Sequence, residues 1–158
     1  MTAESSIEIR KARLDDAVEM ARLSGELGYP LTADEMGIRL TVLLPEERHL
    51  VVVAVEGETL HGWAHVEHRF TLEGGDRAEL MGLVVDARAR GQGMGRQLVE
   101  VVEAWTVARG LPGVIVRSNA ARAESHPFYE ALGYKKRKTQ HVYTKTVTGR
   151  RGDDAPAG

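Results

Sequence analysis

The sequence has no cysteine, which excludes disulfides, thiolate metal sites and a cysteine nucleophile, and makes the fold indifferent to oxidation state. It has no apolar run long enough to cross a bilayer and no leader-like N-terminus, the pattern expected of a cytoplasmic protein. The only basic cluster, Lys135-Lys136-Arg137-Lys138, has no aromatic residues interleaved with it, so no nucleic-acid platform is expected. An exposed edge strand guarded by lysine accounts for the cluster. A net charge of −2 gives no one-signed field to draw nucleic acid or an anionic membrane. Repeats and linker-like segments are missing as well. The 158 residues therefore read as one domain over 1–147, large enough to bury about 68–70% of its unfolded surface, with a polar tail at 148–158 expected to be disordered.

Against these absences stands one dense stretch, Glu79 to Gly110. Leu80-Met81-Gly82-Leu83-Val84-Val85 is short and nearly continuously apolar, the mark of a buried strand. Arg90-Gly91-Gln92-Gly93-Met94-Gly95 follows. Leu98, Val101, Val102, Trp105 and Ala108 then recur on one helical face until Gly110 and Pro112 stop the pattern. Strand, glycine-rich loop and helix in that order predict an anion site. Glycines let the backbone approach a ligand, and a helix N-terminus aims free N–H groups and roughly half a positive charge outward. A diphosphate suits it best. The dinucleotide fingerprint needs glycine where Arg96 stands, and a nucleotide P-loop needs Gly-Lys-Ser/Thr, which is absent.

Around this stretch the elements fall in a regular order. Ile7 to Arg10 alternates as a strand, and Asp15 is placed to cap a helix with Leu14, Ala17, Val18 and Ala21 on its inner side. Thr32-Ala33-Asp34-Glu35 is a capping box that starts a helix carrying Met36, Leu40 and Leu43 inward until Pro45. His49 to Val55 and Leu60 to Phe70 read as strands joined at Glu56-Gly57-Glu58, and Glu73-Gly74-Gly75-Asp76 turns into the central strand. Val114-Ile115-Val116 follows the long helix as a parallel strand. Ser125 caps a last short helix with Phe128, Ala131 and Leu132 inside, ended by Gly133, and Tyr134–Gln140 and His141–Lys145 read as two terminal strands.

An apolar strand, then Arg-Gly-x-Gly-Met-Gly, then an amphipathic helix resembles the GNAT superfamily of N-acetyltransferases. A second segment strengthens the resemblance: Ser118-Asn119, then Phe128-Tyr129 and Gly133-Tyr134 on the following helix. It implies an α/β fold over about residues 5 to 147, with a mixed, mostly antiparallel sheet, a splayed parallel pair of central strands and about four helices. It also implies acetyl-coenzyme A as the cofactor. Leu83, Val84 and Val85 would offer backbone groups to the pantetheine arm, Arg90, Gly91, Gln92, Gly93, Met94, Gly95 and Arg96 would wrap the pyrophosphate, and Asn119 would hold the arm or simply cap its strand. Tyr129 would be the acid that protonates departing coenzyme A, a phenol near pKa 10 being protonated at neutral pH. The plainer alternative is a packing tyrosine. A homodimer through the terminal strands is frequent in the family.

The base is Glu79 by the same resemblance, and alternation with Met81, Leu83 and Val85 puts it on their side of the strand. His65, Glu67 and His68 on the preceding strand are other candidates. A metal site is not expected: in an extended strand His61 and His65 stand about 13 Å apart, and His68 points to the other face. Glu67, Glu73 and Asp76, near the cleft, favour a cationic amine. The acceptor is taken to be a small molecule, a peptide or protein amine being the alternative. The same fold used as a non-catalytic acyl-coenzyme A module is the competing reading.

Overall fold

Capping chemistry decides where the first two helices start. In the computed structural model, which describes residues 6–89, 93–117 and 125–148, the Thr32 hydroxyl accepts the Glu35 N–H at 3.0 Å and the Glu35 carboxylate accepts the Thr32 N–H at 2.9 Å. This is the expected capping box, and helix α2 (Ala33–Leu43) follows from it. Asp16, and not Asp15, stands at the N-cap position of helix α1 (Ala17–Glu26), and its side chain makes no capping bond to that helix. The buried Asp16 carboxylate accepts the Arg13 N–H at 2.7 Å and two Arg10 N–H bonds at 2.9 and 3.0 Å. Burial alone would raise its pKa, but the Arg10 guanidinium and the Arg13 amide outweigh it and hold the carboxyl below its usual range. With Asp16 turned inward, Ala17, Met20, Ala21, Leu23 and Ser24 are buried. Leu14 and Val18, expected inside, are exposed.

Arg10 lies on strand β1 (Glu8–Lys11), the first of five strands in the order β1-β2-β3-β4-β5. Strands β2 (His49–Glu56), β3 (Thr59–Thr71) and β4 (Gly75–Val85) form an antiparallel meander. The last strand, β5 (Val114–Val116), joins β4 in parallel. A parallel join requires a crossover, and helix α3 (Met94–Ala108) supplies it. The sheet is thus mixed and mostly antiparallel with one parallel pair, as expected.

The two faces of the sheet are covered differently. Helices α1 and α2 form one apolar cluster with Val51, Val53, Val55, Leu60 and Val84, with Trp63 packed against it. Helix α3 covers the other face, where a side chain at Gly62 would meet Leu98 at 3.2 Å. The buried stripe of α3 is Met94, Leu98, Val99, Val102 and Thr106, rotated from the expected one, since Val101 and Trp105 are half-buried and Ala108 is exposed. Thr106 is tolerated inside because its hydroxyl donates to the Val102 carbonyl at 2.8 Å.

The chain divides into two compact units, Met1–Arg117 and Ser118–Gly158. The second contains helix α4 (Ser125–Ala131), which starts on the residue expected to cap it. Gly133 at φ +93 ends the helical run, and the Tyr134 N–H donates back to the Tyr129 carbonyl at 3.0 Å. The two terminal strands do not form. Residues 134–148 are irregular and almost all exposed, Val142 and Tyr143 among them. A strand needs a partner ladder and an apolar face to cover, and a segment this charged supplies little of the second. Among the described residues, no helix is long and apolar enough to cross a membrane.

Candidate functional site

The anion-binding features depend on how β4 leaves the sheet. Its pairing with β3 runs in step from Thr71↔Gly75 to Val66↔Leu80 and then jumps to His65↔Gly82, so Met81 is an extra residue. This β-bulge bends the strand and increases its twist. The parallel pairing with β5 stops at the same point, at Leu80↔Val116. From Gly82 to Val85, β4 pairs with β3 alone among the described residues, which leaves backbone groups on its other edge open to a ligand.

After Val85 the buried Asp86 fixes the turn. It accepts the Arg88 N–H at 3.0 Å and the Arg88 guanidinium at 3.3 and 3.1 Å. These bonds hold its carboxyl below the usual range despite burial. Arg90, Gly91 and Gln92 lie outside the described residues, as does Asn119. The chain resumes at Gly93, which caps α3 in a left-handed conformation at φ 78 with no side-chain hydrogen bond; a residue with a Cβ would be strained there. The first internal bond of the helix is from Gln97 N–H to Gly93 C=O at 3.0 Å. The N–H groups of Met94, Gly95 and Arg96 therefore precede it. No acid stands in the first turn of the helix, so no carboxylate there offsets its positive end. Met94 is buried and anchors the turn. Among the described residues, a strand edge without a β5 partner leads to a helix N-terminus without a side-chain cap, an arrangement that fits an extended amide-bearing arm that carries a diphosphate.

The bulge also moves Glu79. Cross-strand partners share a face, and Glu79 pairs with Glu67, Gly82 with His65 and Val84 with Trp63. Leu83 and Val85 pair with Ala64 and Gly62 on the opposite face. Glu79 therefore lies on the α1/α2 face and not beside Leu83 and Val85, because the extra residue at Met81 resets the alternation expected of a regular strand. Its carboxylate is buried and engaged on both oxygens, by Arg69 at 3.3 Å and Arg117 at 2.9 Å.

Beside Glu79 on this face, His49 Nδ1 and His65 Nε2 are 2.9 Å apart, and His49 Nε2 is 3.6 Å from Glu67. Burial, and secondarily His49, push the His65 pKa down to about 4. His68 sits on the α3 face, 2.7 Å from Asp76 through Nε2, while its Nδ1 accepts from Arg109 at 3.2 and 3.1 Å. Glu67 and Asp76, read as acids of one cleft, thus lie on opposite faces. His61 is the extra residue of a second bulge, 3.3 Å from Glu56 and 3.8 Å from Asp86. Among the described residues, no group of three or more histidines and carboxylates is placed to hold a metal ion.

In α4, Tyr129 is half-buried like Phe128 and does not point away from it. Its ring meets Phe128 and Tyr134 edge-on, with centroids 5.1 and 6.0 Å away. Burial raises its phenol pKa. The pairing of His49 with His65 and the arginine clamp on Glu79 were missed in the sequence. Both depend on strand register, for which the sequence carries no local signal.

The family model described as Acetyltransferase (GNAT) family matches residues 15–134. The aminoglycoside N(6')-acetyltransferase type 1 of Stenotrophomonas maltophilia is 30% identical over 136 residues, covering 82% of this chain and 87% of that protein. Two solved structures share the fold. Aminoglycoside N-acetyltransferase AAC(6')-Iy, in complex with CoA, superposes with a TM-score of 0.82 at 18% identity, over 93% of this chain and 99% of the other. Glucosamine-6-phosphate N-acetyltransferase from Arabidopsis thaliana does so with a TM-score of 0.72 at 24% identity, over 88% and 98%.

Proposed function

Because the chain belongs to the GNAT family of acetyltransferases, we propose that it moves an acetyl group from acetyl-coenzyme A to a primary amine of a small molecule, by direct attack of the amine. The observation that carries this reading is the continuity of two features: the edge of β4 left without a β5 partner past Leu80, and the uncapped N-terminus of α3. One suits the amide-bearing pantetheine arm and the other suits the diphosphate. A solved protein of this fold binds CoA, which supports the choice of cofactor.

In this reading acetyl-coenzyme A supplies the activated acyl group, and the protein holds it. The N–H groups of Met94, Gly95 and Arg96, with Arg90, Gly91, Gln92 and Gly93 ahead of them, bind the diphosphate. Leu83, Val84 and Val85 bond the arm through their backbone, and Asn119 holds its amides. Backbone donors of β4 polarise the thioester carbonyl, the kind of placement that is usually the largest catalytic contribution. Tyr129 gives its proton to the leaving thiolate, and burial, which raises its pKa, keeps that proton in place until then. Glu79 was the expected base. With both oxygens bonded by guanidinium groups, it is poorly placed to accept the amine proton and instead holds Arg69 and Arg117.

The Stenotrophomonas maltophilia relative is an aminoglycoside N(6')-acetyltransferase, so aminoglycosides head the panel of amines to assay, followed by amino sugars, polyamines and peptide amines. Release of free thiol with a small-molecule amine supports the reading. Turnover with peptide amines alone would overturn its acceptor class. Tyr129→Phe should lower kcat by about 100-fold with acetyl-coenzyme A affinity nearly unchanged; a kcat equal to wild type removes Tyr129 from the role.

A further inference from the structure

On the polar part of the α1/α2 face the side chains form a line. Glu67 Oε2 is 3.6 Å from His49 Nε2, and His49 Nδ1 is 2.9 Å from His65 Nε2, with the ring centroids 5.2 Å apart and the rings inclined by 31°. Two imidazole nitrogens at that distance share one proton, since two N–H donors would oppose each other. At 3.6 Å Glu67 is beyond hydrogen-bond reach, but its negative charge favours the His49 proton on Nε2, so Nδ1 is left to accept the His65 Nε2–H. His65 Nδ1 then becomes the basic end of the line. Across the ladder His65 faces Gly82, the first residue after the bulge, where the open edge of β4 begins.

We propose that His65 Nδ1 takes the proton lost by the acceptor nitrogen during acetyl transfer, and that His49 and Glu67 are positioning residues that set the His65 tautomer and receive the charge. This rests on the acyl-transfer reading above. As the bond from nitrogen to acetyl carbon forms, the acceptor N–H bond breaks and its proton bonds to His65 Nδ1. The proton on His65 Nε2 passes to His49 Nδ1. The positive charge therefore comes to rest on His49 beside the Glu67 carboxylate, and His65 is neutral again in its other tautomer. The carbon–sulfur electron pair leaves with the sulfur, whose proton comes from Tyr129 in that reading.

The surroundings suit a relay better than a lone base. A half-buried imidazole whose pKa is pushed down to about 4 is neutral at physiological pH but too weak to keep a proton. Passing the charge to His49 removes that difficulty. His49 also lines a cavity of about 410 Å³ with Lys11, Glu46, Glu47 and Arg109. After the product leaves, the His65 Nδ1 proton passes to water in the emptied site and His49 returns its Nδ1 proton to His65 Nε2, which restores the starting tautomers. Glu79 does not compete for it, because Arg69 and Arg117 hold both of its oxygens.

The test is steady-state thiol release from pH 6 to 8 by full-length wild type, His65→Gln, His49→Gln and Glu67→Gln, each also melted with and without acetyl-coenzyme A. His65→Gln should lower kcat by about 100-fold or more. Once the fraction of neutral amine is divided out, its kcat should climb with pH where the wild type is flat, because hydroxide must now take the proton. His49→Gln and Glu67→Gln should lower kcat by roughly 10-fold with the same slope. KM for acetyl-coenzyme A and the melting shift it causes should change by less than about twofold, since none of the three residues lies on the cofactor path. Nitrogen NMR of the imidazoles should find His49 protonated at Nε2 in the wild type and displaced toward Nδ1 in Glu67→Gln. Variants that keep wild-type kcat and a flat profile overturn the relay and leave acyl transfer standing. No thiol release by wild type with any amine overturns both. Should His65→Gln fail to fold, the half-buried Glu67→Gln decides, an unchanged kcat and slope counting against the proposal.

Discussion

His65 and His68 stand three residues apart on one strand and on opposite faces of the sheet, and they are built in opposite ways. His68 is held between ions, with Asp76 at one ring nitrogen and Arg109 at the other, and that arginine also lies over the Trp105 ring at 4.9 Å. His65 touches another imidazole and is half-buried, with its pKa pushed down to about 4. The difference teaches that the two faces do different work. The α3 face is apolar, with ionic groups only at its edge, so a histidine there serves as a tie between strand and helix. On the α1/α2 face the helices cover only part of the sheet, and the remainder keeps titratable groups in contact with one another beside the bulge.

The sharpest way to break this comparison is to delete each imidazole in turn. His65→Gln should cost about 100-fold or more in kcat, while His68→Gln, remote from the open edge of β4, should change kcat by less than about twofold. Equal losses would mean that the faces do not differ in function.

The next effect is on stability. The folded pKa of His65, about 4, lies below the ordinary 6.5. The unfolded chain therefore takes up the proton first, so the contribution is fully present above about pH 6.5 and is lost as pH falls toward 4. Urea unfolding at pH 7 and 4.5 should show a loss on the order of 2–3 kcal/mol from this residue. His65→Gln should flatten that part of the profile, whereas His68→Gln should leave it.

Carboxylates on the two faces extend the contrast. Glu79 is buried and its two arginine partners are partly exposed, so Glu79→Ala should destabilise by about 2 kcal/mol. Asp76, half-exposed beside His68, should cost less than about 0.5 kcal/mol when replaced by alanine. The smallest difference is between two glycines. A Cβ at Gly62 would lie 2.9 Å from the Val84 carbonyl oxygen, which is backbone and cannot yield, whereas at Gly82 it would lie 2.9 Å from the Trp63 ring, which can tilt. Gly62→Ala should therefore cost about 2 kcal/mol and Gly82→Ala about 1 kcal/mol by chemical denaturation.

These contrasts also separate what was legible in the sequence from what was not. Thr32 and Glu35 announced α2 because a capping box is local chemistry between neighbours. The strand from Leu80 to Val85 and the helix that ends at Ala108 were legible for the same reason, and so was the mixed sheet. Asp16 was missed in favour of Asp15 because the deciding partner, Arg10, comes from a strand. The face occupied by Glu79 was misjudged because one extra residue at Met81 reverses every later position, and nothing in an apolar run marks a bulge. The histidine pair and the arginine clamp join residues 16, 10 and 38 positions apart, which only strand register brings together. Residues 134–140 and 141–145 were expected to be strands but carry too few apolar side chains to hold a ladder.

The central claim is that the open edge of β4 and the uncapped end of α3 bind acetyl-coenzyme A, and thermal unfolding tests it most directly. Acetyl-coenzyme A, acetyl-pantetheine, ATP and NADH would each be added in large excess. A ligand at about 100 times its dissociation constant adds roughly 2.7 kcal/mol, a shift on the order of 5 to 10 °C for a chain of this size. The account predicts that shift for acetyl-coenzyme A, a smaller one for acetyl-pantetheine, which lacks the diphosphate, and little for the other two. No shift with acetyl-coenzyme A, or a larger one with ATP or NADH, would contradict it.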